Sequence, residues 1–595
     1  VTTTGPGEDA AGRPQDLRLA LRLLPFLAPQ AGLIALSVLL LFVVMGAGLV
    51  QPYLFKILID DHLVRGEGHG LARLVVLYLA AAAIELAARY LQTYLMERTG
   101  QNVILDLRGR AFAHLQDLDV SFFDRHPVGR LMTRVTTDIE ALADLFSSGV
   151  VTLLGDTIKL LAIVVLLWWL DPHLALVTFS MAPVLFAISV LFRGRIRDAY
   201  REARRRIARI NARLQETISG MLIIQLFRRE AIERREFEAI NRDHRDAELR
   251  TVVYESSFSA VIELVGTLAT AMLLAYGGWR ILAGALTFGT LAAFLEYTSR
   301  FFSPIRDLSG FYAVLQAAMA SLERLFELLD TRPAIRSPDR PAPAQATAGR
   351  IEFDRVGFSY RPGTPVLHGI HLSIASGERI ALVGATGSGK TTLVRLLIRL
   401  YDPDTGAIRI DGHDLRDLPL PWLRSQVTTV LQDPFLVTGT IADNIAFGDG
   451  RIDRRRVETA ARQVHADEFI RRLPDGYDSP VRERGGNLSA GQKQLVAFAR
   501  ALARDPRVLV LDEATSHVDV ATEALVQEAL ATLLRGRTAL IIAHRLSTIV
   551  GADRILVMHH GRIAEEGNHA ALLGRGGIYA RLHALQFGAA DGVAR

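Results

Sequence analysis

The chain has 595 residues, too many for one ordinary hydrophobic core, so two or more domains are expected. Half of the residues are hydrophobic and the mean hydropathy is +0.23, against 22% charged residues, a balance that points to membrane segments joined to a soluble part. A net charge of only +5 gives no argument for nucleic acid, and the absence of cysteine excludes disulfides, thiolate metal sites and cysteine nucleophiles.

Residues 1–28 are small, polar and charged, without the basic-then-apolar pattern of a cleaved leader, and are expected to form a cytoplasmic tail. A membrane domain follows over 29–329, with apolar stretches at about 30–53, 70–96, 147–170, 172–193, 258–283 and 286–310. Each reaches the roughly 20 residues that a helix needs to cross a bilayer core of about 30 Å. Helix is the expected state because lipid offers no partner for backbone N–H and C=O groups. Between the second and third stretches, and again between the fourth and fifth, lie two long charged insertions, 97–146 and 194–257; the second contains RGRIRDAYREARRRIARINARLQ. Arginine-rich loops stay on the cytoplasmic side, so both insertions and both ends of the chain are predicted there after six crossings. Glu85, Arg89, Asp156, Lys159, Glu263, Glu296 and Arg300 fall inside the spans, where an ionisable residue is a functional candidate by default. Aliphatic and aromatic residues dominate the remaining wall, which suits a hydrophobic drug, lipid or peptide.

Residues 330–350, rich in proline and alanine, read as a linker. From 351 to 595, short apolar runs such as RIALVGA, VTTVLQD, RVLVLDE and TALIIAH alternate with helical stretches, the pattern of an α/β domain with a largely parallel sheet. GATGSGKTT, 384–392, follows an apolar strand and opens a helix, the context a phosphate loop requires. Gly384, Gly387 and Gly389 let backbone N–H groups curl around a β-phosphate. Lys390 supplies a charge for the β and γ oxygens, and the Thr391 hydroxyl is a magnesium ligand. VLVLDE, 508–513, is an apolar strand ending in two carboxylates: Asp512 is placed to hold magnesium through water, and Glu513 to orient or deprotonate the attacking water. Gln432 and His544, each after an apolar strand, are candidates to sense the γ-phosphate, Gln432 also the magnesium, and Tyr360 is a candidate to stack on adenine. NLSAGQ, 487–492, immediately precedes a helix-forming run, so Ser489 and the N–H groups of Ala490, Gly491 and Gln492 form a second anion-binding helix start.

Together these motifs resemble those of the ATP-binding cassette transporters, and nearly the whole chain resembles an exporter-type (type IV) half-transporter: an all-α six-helix transmembrane domain followed by an α/β phosphate-loop cassette. GATGSGKTT resembles the family's Walker A, VLVLDE its Walker B, Gln432 its Q-loop, NLSAGQ its signature, SHVD with Asp519 its D-loop, and His544 its switch histidine. The resemblance implies ATP and Mg2+ as cofactors, with Thr386, Ser388 and Thr392 joining the nucleotide site. It implies an integral protein of a bacterial inner membrane, the cassette in the cytoplasm, and a lipid bilayer around the spans. It further implies a head-to-tail dimer in which Ser489, Ala490, Gly491 and Gln492 face the partner's ATP. DVSFFDRHPVGRL and GMLIIQLFRRE, at the tips of the insertions, are the implied coupling segments. LSAGQ stands where LSGGQ is usual, and SHVD where SALD is usual. Ala490 keeps its N–H but adds a methyl group and restricts the backbone. An intact Walker B glutamate with an altered signature resembles halves that pair with a different chain whose own catalytic site is degenerate; a homodimer is the other reading.

Overall fold

The computed structural model describes residues 19, 21–66, 68–145, 150–342, 347–512, 520–543 and 545–587. They divide into two compact units, one taking Val1–Leu115 and Gly129–Thr331, the other Gln116–Val128 and Arg332–Arg595. A short piece of the first insertion therefore groups with the cassette and not with the membrane helices.

Among the described residues the regular structure of the first unit is all helix, and a helix falls on each of the six apolar stretches: α1, Ala31–Ile57; α2, Leu71–Asp117; α4, Val150–Leu170; α5, Pro172–Phe179, continued by α6, Ala182–Ser219; α8, Glu230–Leu282; and α9, Phe288–Asp330. The intervening α3, Val120–Arg125, belongs to the second unit, and α7, Met221–Leu226, forms the tip between α6 and α8. Among the described residues, the helical runs 24–63, 71–117, 172–219 and 230–282 are long and apolar enough to cross a membrane. At 1.5 Å per residue, the 47 residues of α2 and 53 of α8 extend about 70 and 80 Å, more than twice a bilayer core. The apolar parts of α4, α5, α6, α8 and α9 pack around Ile163, Leu167, Leu273, Phe294 and Tyr297, all buried. The polar halves of α6 and α8 run together, pinned by Arg206 to Asp243 at 2.7 Å and Arg213 to Glu233 at 2.6 Å. At their tip, Leu222, Ile223, Leu226 and Phe227 are exposed.

The second unit is built on strands β1, Ile351–Arg361; β2, Thr364–Ile374; β3, Arg379–Val383; β4, Thr405–Ile410; β5, His413–Asp414; β6, Val427–Val430; β7, Gly439–Thr440; β8, Pro480–Val481; β9, Val508–Asp512; β10, Thr538–Ile542; β11, Arg554–His559; and β12, Arg562–Gly567. One sheet runs β12-β11-β3-β10-β9-β6, parallel except for the edge strand β12; a second, antiparallel, runs β2-β1-β4-β5. All five residues of β10 are buried, as are the first four of β9, so both read as continuous apolar runs without alternation, which is what a sheet covered on both faces selects. The helix next after β3 is α10, Lys390–Leu397, and the helix next before β9 is α11, Ala490–Arg504.

Candidate nucleotide site

The strand register builds the site. β10 pairs with β3 on one side and β9 on the other, so Leu382, Ile542 and Asp512 share one row; β6 adds Val430 beside Leu511. The chain leaves all four strands at the same carboxyl edge, the edge where open α/β sheets hold ligands. The phosphate loop leaves β3 there, Asp512 ends β9 there, and Gln432 lies two residues beyond β6.

Within the loop, glycine is required by close approach. A Cβ on Gly384 would lie 2.3 Å from the Met558 carbonyl oxygen. Gly389, which caps α10 at φ 102°, would drive one to within 2.7 Å of Leu367. Lys390 is buried, and its Nζ donates to the carbonyls of Gly384 at 2.7 Å and Ala385 at 3.0 Å, folding the loop back over its own lysine. Burial holds the ammonium below its ordinary pKa while the Asp512 carboxylate acts against that shift, so cation and carboxylate sense each other across β10. Thr386, Gly387 and Thr391 are exposed; Ser388 and Thr392 are buried, and Thr392 Oγ1 accepts from the Tyr360 hydroxyl at 3.2 Å. Tyr360 itself is 40% exposed, packed edge-on against Phe358 and Tyr401 with a face left open. Thr391, Gln432 and Asp512 supply hydroxyl, amide and carboxylate oxygens, a hard donor set that suits a magnesium ion. Glu513, Asp519 and His544 lie outside the described residues.

Ser489 caps α11 with an extended backbone. Its Oγ accepts the Gln492 N–H at 3.2 Å, and the Gln492 side chain accepts the Ser489 N–H at 3.0 Å, a reciprocal box. Ala490 is the first helical residue. The expected backbone restriction is therefore absent: the position is an ordinary right-handed one that alanine favours, and what differs from glycine is a methyl group on an exposed surface. Ser489 is likewise exposed and its hydroxyl proton remains available to an anion.

Residues that the sequence did not single out complete the surroundings. Arg500, eleven residues along from Ser489, donates from Nε to the Asn444 carbonyl at 2.7 Å, from Nη1 to the Phe435 carbonyl at 3.0 Å and from Nη2 to Asn444 Oδ1 at 3.2 Å. Its guanidinium lies 4.4 Å over the Phe447 ring. Burial, and secondarily Arg504, pulls its pKa down to about 10, which leaves it charged at neutral pH. It ties α11 to the segment that follows Gln432.

In the first unit, four of the charged candidates are joined through hydrogen bonds. Glu85 accepts from Gln51 at 2.7 Å and from Arg89 at 2.8 Å, and Arg300 donates to the Gly48 carbonyl at 2.6 Å, to Gln51 at 3.2 Å and to Glu296 at 2.8 Å. Lys159 lies in the field of Asp156, Arg300, Arg89 and Glu85. Gln51, an uncharged residue with no periodic signal, is the link between the two ion pairs. Glu263 is exposed on α8 and joins none of these bonds among the described residues.

Comparison with known proteins agrees along the chain. Residues 34–305 match the ABC transporter transmembrane region and residues 367–516 match the ABC transporter family description. The uncharacterized ABC transporter ATP-binding protein YknV of Bacillus subtilis (strain 168) is 40% identical over 571 residues, covering 96% of this chain and 94% of that one. An ATP-dependent lipid A-core flippase of Syntrophus aciditrophicus (strain SB) is 37% identical over 541 residues, covering 91% and 89%. Among solved structures, a bacterial Atm1-family ABC exporter with ATP bound superposes with a TM-score of 0.75 at 29% identity, covering 94% of this chain and 98% of that one.

Proposed function

Because the chain belongs to the ABC transporter family, joining an exporter-type membrane domain to an ATP-hydrolysing cassette, we propose that it exports a hydrophobic or amphipathic substrate, a drug, lipid or peptide, by alternating access. The membrane is a bacterial inner membrane and the cassette faces the cytoplasm. The observation that carries the reading is the single sheet edge shared by the phosphate loop and Asp512. ATP lies in the loop, with adenine on the open face of Tyr360 and the β and γ oxygens at Lys390; Gly384, Thr386, Gly387, Ser388, Gly389 and Thr392 shape the cradle. Thr391, Gln432 and, through water, Asp512 hold Mg2+, which neutralises phosphate charge when bound. Glu513 orients or deprotonates water, His544 senses the γ-phosphate, and Asp519 serves as the D-loop residue.

The site is split between two chains. Ser489, Ala490, Gly491 and Gln492 present a helix start to the partner's ATP, and the partner returns its own signature to this chain's phosphate loop. The methyl of Ala490 lies on that presented surface, which supports a different chain as partner, with a degenerate catalytic site and an ordinary signature. Nucleotide then favours the closed pair because it touches both cassettes only when they meet.

The ionic group of Glu85, Arg89, Gln51, Glu296 and Arg300 supports an amphipath over a purely apolar substrate. Glu85 and Arg300 lie about 20 Å along α2 and α9 from their first residues, deep within a ~30 Å core, where charge is stable only against protein or water. Arg89 spends one bond on Glu85 and its side chain is 59% exposed, leaving donors for an anionic head group. The direction of transport is tested in inside-out vesicles: ATP-dependent accumulation of a fluorescent fatty acid or a hydrophobic cationic dye supports export, and ATP-dependent release of preloaded probe contradicts it.

A further inference from the structure

An amide sits in the core-facing stripe of α11. Gly491, Leu495 and Phe498 turn inward at helical spacing and are buried, and Gln494 stands among them, only 7% exposed. Its side chain hydrogen-bonds to no other side chain or backbone group among the described residues. Taking an amide out of water is unfavourable unless its hydrogen bonds are replaced, by protein or by an ordered water.

Gln494 borders a small cavity between the parallel sheet and two helices, α11 and α12, Val520–Leu534. Leu511 of β9, Phe498 of α11 and Val526 of α12 give it apolar walls. Three residues with polar side chains border it as well: Gln494, Gln527 of α12, and Asp512 at the end of β9. The cavity has room for one water molecule, and a buried water is stable where about two to four polar groups meet it. The chemistry of this set is complementary: each amide offers donors and an acceptor, the carboxylate only accepts, and a water does both. Asp512 also acts on the Lys390 ammonium, so the same carboxylate is addressed from the phosphate loop and from the cavity.

We propose that Gln494 and Gln527 are positioning residues for the Mg2+ site: together they hold an ordered water in this cavity, and that water donates to Asp512 and fixes the orientation of its carboxylate. A carboxylate already held by a donor has less freedom to lose when it takes up its metal, so affinity for the metal rises. The two glutamines thus act on metal binding without touching the nucleotide. The proposal rests on the assignment of Asp512 to Mg2+, so the experiment separates the two.

Mn2+ serves as the probe in place of Mg2+, because the free ion is counted by electron paramagnetic resonance. The full chain in lipid nanodiscs, in excess over AMP-PNP, is titrated with Mn2+, and AMP-PNP affinity is measured separately in EDTA. Gln494→Met keeps the length of the side chain and removes the amide. Mn2+ binding is expected to weaken about tenfold, the lower end of what losing an outer-shell partner costs, while AMP-PNP affinity in EDTA stays as in the native chain. Gln527→Met is expected to weaken Mn2+ binding in the same direction, and it carries the test if Gln494→Met does not fold. Added to Asp512→Ala, Gln494→Met weakens Mn2+ binding no further, as expected of one shared contact. Native Mn2+ affinity in Gln494→Met overturns the proposal, and a raised unfolding midpoint beside it would show the amide to be simply unpaired. An equal loss of AMP-PNP affinity in EDTA marks a structural role and also overturns it. Native Mn2+ affinity in Gln527→Met alone would mean that Gln494 reaches Asp512 without the bridging water, which overturns the water site. Asp512→Ala separates the two readings: unchanged Mn2+ binding there removes the metal assignment, whereas weakened binding with no effect of either glutamine variant removes only the bridge.

Discussion

Ser489 and Gln492 close a reciprocal pair at the start of α11, 3.0 Å in one direction and 3.2 Å in the other. That box fixes the helix start independently of residue 490, so the helix is formed with alanine in place and only the methyl group distinguishes this surface from one carrying glycine. Ala490→Gly is therefore expected to leave the fold intact, at a helix-propensity cost of up to about 1 kcal/mol, and to tighten ATP binding at the site completed by α11. Fluorescent-nucleotide titration of the assembled transporter checks this; an unchanged affinity would mean that the methyl group does not touch the shared site.

Glu513 follows directly on Asp512, which the register places in one row with the end of β3, β10 lying between them. Glu513→Gln keeps size and hydrogen bonding but removes the base. Steady-state ATP turnover is expected to drop about a hundred- to a thousandfold with ATP binding retained, since a positioned base contributes about that much. Near-normal turnover in the assembled transporter would remove the assignment.

Arg500 spends three of its donors on Asn444 and Phe435, joining α11 to the segment beyond Gln432. Arg500→Met keeps much of the side chain's bulk but strands the carbonyl of the buried Asn444, and is expected to destabilise the chain by roughly 1–3 kcal/mol. Thermal unfolding with and without Mg-ATP reads it: a lower midpoint with a smaller ATP-induced rise is the expected pair of changes. A midpoint unchanged in both conditions would show that the three bonds contribute nothing.

The Arg89 side chain is the exposed end of the membrane ionic group. Arg89→Ala is expected to cut ATP-dependent uptake of a fluorescent fatty acid into inside-out vesicles at least about fivefold, the loss of one charge-assisted hydrogen bond, while uptake of the matching fluorescent fatty alcohol changes little. Equal loss for acid and alcohol would place Arg89 in the architecture of the helices and not in contact with the head group.

Much of this was legible in the sequence because the signals are local. The phosphate loop announces itself by glycine spacing between an apolar strand and a helix, and the structure places β3, the loop and α10 in that order. The Ser489 cap is likewise a matter of three residues. What the sequence did not show is pairing across long separations. Tyr401 and Asp124 are 277 positions apart, and Gln51 and Arg300 are 249 apart. Neither Tyr401 nor Gln51 breaks a local pattern, so only the topology that brings their elements together gives them a partner. The alanine at 490 shows the converse: sequence alone suggested a restricted backbone, and its place as the first residue of α11 removes that restriction while keeping the exposed methyl.

The central claim, that this chain's phosphate loop is completed by the signature of a different chain, is tested most directly by ATP turnover of the chain purified alone and then with the half-transporter that copurifies from its native membrane. The account predicts weak hydrolysis by the lone chain and strong hydrolysis once the second half is present, abolished by Lys390→Ala in this chain. Vigorous, cooperative hydrolysis by the lone chain, unaffected by any second half, would contradict it and make the functional unit a pair of identical chains.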